Sequence, residues 1–174
     1  MKRSHASYTR IPAAALAGIM VGTLGAVACQ PAPAASQAAS QPVAQVQPVR
    51  KAITPAKSPQ TGLPYSPGIL AGNTLYISGH LGRDPVTGQL VPGGIEAETR
   101  QSLANIREVL TTAGMDLKDV TYVTAFITDF KDFEKFNAVY REHFPTDPPA
   151  RATVQVAALN IGAHVELQMI AVKP

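Results

Sequence analysis

The sequence predicts an α+β domain in which one mixed β-sheet carries two helices on one face. Three observations lead there. Segments of strand and helix character follow in the order strands, helix, strand, helix, strands over about 115 residues. Each helical segment has a single apolar stripe, so each covers a sheet face instead of being buried all round. Both glycine and proline fall at the segment ends, where turns need them.

The elements follow in order. Arg50–Thr54 is a candidate first strand, and a short second strand surrounds Ser66 to Leu70. Asn73-Thr74-Leu75-Tyr76-Ile77-Ser78-Gly79 reads as a strand ended by its glycine. Asp84-Pro85 and Thr87-Gly88 give the stretch Arg83–Gln89 turn chemistry at both ends. From Gly94 to Ala113, Ile95, Leu103, Ile106, Leu110 and Ala113 recur at helical spacing, and Gly114 supplies a left-handed stop. Val120–Thr128 is β-branched and aromatic, hence a strand. Phe133, Phe136, Tyr140 and Phe144 mark a second amphipathic helix closed by Pro145, and this aromatic stripe reads as core. Arg151–Leu159 and His164–Val172 are two further strands joined by Asn160–Ala163. Two helices cover one sheet face only, which leaves the other for water or for another subunit.

The segment ahead of this domain has a different composition. Residues 2 to 10 contain Lys2, Arg3 and Arg10 and no acid, and Ile11–Ala28 is uncharged and apolar, ending Ala26-Val27-Ala28 before Cys29. Basic, apolar, then small residues is the layout of an export signal. Pro12, Gly18, Gly22 and Gly25 make the apolar run a poor permanent membrane helix. AVAC resembles the lipobox of bacterial lipoproteins, which would make Cys29 a lipidated mature N-terminus; Ala26 replaces the usual Leu. The alternative is simple cleavage after Ala28 and release. Gln30 after the cysteine points to the outer membrane, so the expectation is an exported, periplasmic, lipid-anchored protein. Cys29 is the only cysteine, so no disulfide can form within one chain. Residues 29–50 form a Pro/Ala/Gln-rich tether, the bias continuing to Gln60, and residues 51–174 form the domain.

The formal net charge of +3 hides an asymmetry. Residues 1–60 hold six basic side chains and no acidic one, whereas residues 61–174 hold nine basic and twelve acidic, a balance of −3. A nucleic-acid binder concentrates cations on its folded part, so no nucleic-acid partner is expected.

Two charged residues stand out within apolar strands. Alternation sets Arg151, Thr153 and Gln155 against Ala152, Val154 and Val156, and His164, Glu166 and Gln168 against Val165, Leu167 and Met169. An unpaired buried charge costs several kcal/mol, roughly. Arg151 and Glu166 are therefore solvated, paired with each other across a sheet or subunit interface, or placed where a ligand completes the pairing. A guanidinium fork suits a carboxylate ligand. No CxxC, HExxH or P-loop pattern is present, and His80, His143 and His164 are scattered, read as surface or loop, so neither metal nor cofactor is expected.

The stretches PYSPGI, LYISGHLG, DPVTGQL, TRQSLANIREVLTTAG, DFEKFNAVY, PPARATVQV and VELQMIAV, in this order, resemble the Rid family, also called YjgF or L-PSP, over residues 51 to 174. The export signal and tether are not part of that pattern. The resemblance implies a chorismate-mutase-like subunit of the bacterial trimeric type, a homotrimer with a central β-barrel, and intersubunit clefts. The activity it implies is hydrolysis of reactive 2-imino acids to 2-oxo acids and ammonia, the work of a 2-iminobutanoate/2-iminopropanoate deaminase. Residue by residue, Arg151 matches the arginine that holds the substrate carboxylate, and Glu166 the glutamate that handles the attacking water. Tyr65, Ser78, Gly79 and Asn137 match pocket residues. Thr153 stands where many members have Cys, in a role that is largely main-chain; His80 stands where Gln is common, and Gln168 replaces an acid. The chemistry suits these residue types: an imine carbon is already electrophilic, so positioning plus general acid–base help suffices. The rival readings are a non-catalytic exported binder of amino or oxo acids and, less favoured by the acidic domain, a ribonuclease or translation inhibitor.

Overall fold

The computed structural model describes residues 49–57 and 64–173. The expected export signal, Cys29 and all of the tether except Val49 and Arg50 lie outside them. The described chain forms β1 (Arg50–Ile53), β2 (Gly68–Ala71), β3 (Thr74–Leu81), α1 (Gly94–Thr112), β4 (Val120–Ile127), α2 (Phe133–His143), β5 (Ala150–Gln155) and β6 (Val165–Val172). One six-stranded sheet has the order β1-β2-β3-β6-β4-β5. Its β4–β5 pair is parallel and the others antiparallel, so the sheet is mixed as expected. A parallel neighbour requires a crossover, and α2 provides it.

Local chemistry sets the boundaries. At the end of α1, Met115 N–H donates to the Leu110 carbonyl and Gly114 N–H to that of Thr111, both at 2.9 Å. With Gly114 at φ +72° this is the Schellman arrangement, which requires a residue free of a Cβ penalty there. In the turn, Asp84 Oδ1 accepts from the backbone N–H groups of Val86 and Thr87 at 2.9 and 2.8 Å. That closes the predicted loop from within its own side chain.

Ile95, Leu103, Ile106, Val109 and Leu110 of α1 are buried, as are Leu75, Ile77, Val123, Ala125, Ile127, Val165, Leu167 and Met169 of the sheet. Together with Phe136 from α2 they make one core between sheet and helices, each large side chain contributing about 1.5–3 kcal/mol. The other sheet face is uncovered. Register aligns Ala52, Ile69, Tyr76, Ile170, Tyr122 and Ala150 in one row across all six strands on that side. Tyr76 is 51% exposed, Tyr122 39% and Val154 44%, an apolar surface larger than scattered single residues would make.

Three expectations need correction. Gly79 does not end β3. Ile77 faces Met169 and His80 faces Leu167, so Ser78 and Gly79 together oppose Gln168 in a β-bulge, and the strand continues to Leu81. The strand beginning near Arg151 stops at Gln155, not Leu159, because its pairing partner β4 ends at Ile127. The strands bearing Arg151 and Glu166, expected to be neighbours because only Asn160–Ala163 joins them, are not, since β4 runs between them.

Candidate functional site

Sheet register decides which face each candidate occupies. Arg151 aligns with Val123 and Met169, both buried beneath the helices, so its side chain leaves the sheet on the helical side. Glu166 aligns with Phe126 and Leu81 in the opposite set, on the uncovered side. Within one protomer the two charges are therefore on opposite faces. The alternative of a direct ion pair between them in the same chain is excluded, and the apolar set of β5 does not face the way a simple inside–outside rule would put it, whereas the polar set of β6 does.

The first cluster forms around the bulge. The Glu166 carboxyl lies against the Gly79 backbone: a Cβ added at Gly79 would stand 1.7 Å from Glu166 Oε1. The missing side chain is what gives the carboxyl its place. Ser78 secures the bulge from the other side, its N–H donating to the Pro67 carbonyl at 2.9 Å and its hydroxyl to that of Ser66 at 2.7 Å. Beyond the end of β2 the edge of β3 is free, and a cavity of about 410 Å³ opens there. Tyr65, Gly79, His80, Arg83 and Glu166 line it together with polar residues of α1. Tyr65 is 53% exposed at its rim. Burial pushes the Glu166 carboxyl above the usual carboxylate range, with no ion pair among the described residues to oppose it. A carboxyl so placed is a better proton acceptor than a solvated one.

The second cluster surrounds Arg151. Its Nη2 donates to Asn137 Oδ1 at 2.7 Å. Its guanidinium carbon stands 4.4 Å from the ring centroid of Tyr140, 5.1 Å from Phe136 and 5.9 Å from Phe133. These residues come from successive turns of α2, so a single helix face presents one amide acceptor and three aromatic rings to one cation. The platform restricts the guanidinium while leaving its remaining N–H groups for a planar anion. The Tyr140 hydroxyl is buried without a partner among the described residues, and burial pushes its pKa up to about 12, only partly offset by Arg151. Thr153 lies two residues along the same face, half-buried.

The candidates thus fall into two groups: Tyr65, Ser78, Gly79 and Glu166 at the β3 bulge, and Arg151, Asn137 and Thr153 beside α2. None of the second group lines the cavity. The aromatic stripe belongs to the core, as expected, but sequence reasoning missed that it also shelters Arg151; the signal was its phase on the helix, which also carries Asn137. It also misplaced one histidine, whereas His164 lies exposed just ahead of β6, as expected. His80 sits in β3, half-buried, not in a loop. His164 donates its backbone N–H to Glu98 Oε2 at 2.8 Å, and its Nδ1 lies 2.6 Å from Oε1 of the same buried carboxylate. That pair ties the start of β6 to α1.

Comparison with known proteins follows from this geometry. Residues 55–173 match the family described as endoribonuclease L-PSP. The 2-iminobutanoate/2-iminopropanoate deaminase of Bos taurus is 49% identical over 125 residues, which cover 72% of this chain and 91% of the bovine protein. The human protein of the same name is 42% identical with the same coverages. Among solved structures, RidA from an Antarctic Psychrobacter is 39% identical with a TM-score of 0.67, over 71% of this chain and 99% of its own. The YjgF gene product of E. coli is 34% identical with a TM-score of 0.67 and the same coverages. The likeness gives this chain their fold, the chorismate-mutase-like arrangement of one mixed sheet and two helices.

Proposed function

From the premise that this chain belongs to the endoribonuclease L-PSP family, we propose that it is an imine deaminase. It hydrolyses small 2-imino acids to 2-oxo acids and ammonia in a cleft built by two copies of the chain. The observation that carries this reading is the division of the candidates: each protomer holds a proton-accepting carboxyl beside a cavity and, on its other face, an oriented guanidinium. Each group is half of a site, and the uncovered row through Tyr76, Ile170 and Tyr122 offers the surface through which copies meet. The homotrimer with a central barrel buries that row and brings Arg151 of one copy toward Glu166 of the next. The names of the bovine and human relatives support the reaction.

The chemistry follows from the groups. Arg151, held by Asn137 and the α2 rings, takes the substrate carboxylate and fixes the imine carbon at a set distance. Water attacks that carbon as Glu166 accepts its proton. Glu166 returns that proton to nitrogen to give the carbinolamine, then relays the hydroxyl proton to nitrogen as the C–N bond breaks, so that ammonia leaves and the 2-oxo acid remains. Although the family description names an endoribonuclease, the balance of −3 over residues 61–174 makes a polyanion a poor ligand.

The test is ammonia release from 2-iminopropanoate generated in situ. The full chain accelerates it, and Arg151→Ala returns it to the uncatalysed rate without altering the trimer's mass in light scattering. If the wild type also runs at the uncatalysed rate, the deaminase reading fails and binding of 2-oxo acids without turnover is what remains. Location is a separate part of the proposal: residues 1–28 direct export, and Cys29 carries lipid that holds the protein to the periplasmic side of the outer membrane, the tether giving it reach. Cys29→Ala then leaves the membrane fraction; unchanged membrane association defeats that assignment.

A further inference from the structure

Resting on the deaminase reading, the geometry points to His80 as the residue that orients the substrate's C=N bond, its Nε2 accepting a hydrogen bond from the imine N–H in the cavity beside Glu166. The bulge sets this up. With Ser78 and Gly79 together opposing a single residue, His80 falls opposite buried Leu167, on the helical side of the sheet, and it lines the cavity at the free edge of β3 that Glu166 and Tyr65 line from the other side. Its Nδ1 lies 2.7 Å from the Ser78 carbonyl oxygen. A carbonyl only accepts, so the ring hydrogen sits on Nδ1, and the neutral imidazole keeps its lone pair on Nε2. Nε2 has no hydrogen-bond partner among the described residues.

The backbone that carries the ring is held as well. The His80 carbonyl accepts from Ser102 Oγ of α1 at 2.8 Å, and Ser102 is fully buried. Burial also pushes the His80 pKa below its usual range, against the smaller opposing effect of the Ser78 carbonyl, which favours the neutral ring. The charged or titratable groups sharing the cavity wall are Glu166 from β6, Glu108 from α1, Arg83 after β3, and Lys57 and Tyr65 ahead of β2.

A fixed acceptor distinguishes the two ends of the reaction. A 2-imino acid presents an N–H on the reacting carbon, whereas the 2-oxo acid presents only an oxygen acceptor. Nε2 therefore favours the substrate and sets the face that the carbon turns to water, while the product loses this contact and gains a lone-pair repulsion. Protonation of His80 inverts the preference, replacing the acceptor with a donor and placing a cation beside the protonated imine.

The experiment compares the full-length wild type, His80→Gln and His80→Leu in ammonia release from 2-iminopropanoate, from about pH 5 to 8. The expected result is a loss of kcat/KM of about tenfold to a hundredfold for His80→Leu at neutral pH. His80→Gln, which keeps an amide oxygen acceptor but does not titrate, stays within about threefold of wild type there, and its ratio to wild type rises as the pH falls. A role confined to folding would not produce that pH-dependent ratio. If the wild type deaminates and His80→Leu keeps pace with it, the assignment of His80 is overturned while the deaminase reading stands. If the wild type does not deaminate, both fall. Nitrogen NMR of histidine-labelled protein tests the tautomer independently of either variant's folding: a ring hydrogen on Nε2 in the free protein overturns the proposal.

Discussion

Gly79→Ala separates the site from the fold more cleanly than any charge deletion. The new methyl would lie 1.7 Å from Glu166 Oε1, 2.7 Å from its Cδ and 3.2 Å from its Cγ. To reach ordinary van der Waals separation the carboxyl has to retreat by roughly 1.5–2 Å. Nothing else stands that close, and Gly79 does not have a positive φ, so alanine adds no backbone strain there. The far end of a flexible, half-buried side chain gives way at small cost, and stability should fall by less than about 1 kcal/mol. Catalysis is less forgiving: a displacement of about 1 Å in a positioned group costs roughly a hundredfold, equivalent to about 2.7 kcal/mol of barrier. The assay pairs ammonia release with a thermal melt. Gly82→Ala is the control, because its Cβ would meet Glu98 Cα at 2.4 Å and the Glu98 carbonyl oxygen at 2.7 Å, atoms of the α1 backbone that cannot swing aside. Gly82→Ala should lower the melting temperature strongly and Gly79→Ala hardly at all. A Gly79→Ala enzyme with full activity would refute the placement of Glu166 at the reacting water. One that melts as early as Gly82→Ala would refute the claim that only Glu166 yields.

Three further outcomes follow from the same geometry. Arg151→Lys keeps the charge but loses the planar fork and the fit over the α2 rings, so kcat/KM should drop about tenfold to a hundredfold in the deamination assay. Tyr140→Phe removes a buried hydroxyl that has no partner and keeps the ring under Arg151; the melting temperature should hold or rise slightly, whereas Tyr140→Leu, which removes the ring, should raise KM about two- to thirtyfold. Because burial raises the Glu166 pKa, its contribution to stability is full below the unfolded-state value near 4.5 and is lost as the pH rises through the higher folded value. Glu166→Gln should therefore melt above wild type at pH 7 and converge with it near pH 4 while activity falls about a hundredfold or more, as melts across that range and the ammonia assay would show.

Local chemistry was legible in the chain. The α1 stripe, its Gly114 stop, the Asp84 turn and the aromatic face of α2 all depend on residues within a few positions of one another, so period and turn preference suffice to read them. The apolar alternation of β6 marked its buried side correctly, since Val165, Leu167, Met169 and Ala171 are covered by helices. For β5 the same rule misled. Arg151 points to the helical layer, and Val154 to the open side, because an edge strand is only partly covered and an aromatic helix face can shelter a cation.

What the amino-acid order determined by itself was the set of elements, the acidic balance of residues 61–174 against the basic residues 1–60, and the residues worth watching. Which of those residues meet was decided only by the tertiary structure. The strand order inserted β4 between the two charged strands, and the register put Arg151 and Glu166 on opposite faces. The physical reason is that pairing and facing depend on contacts between segments far apart in sequence, and a one-residue bulge or shift reverses them without changing any local preference.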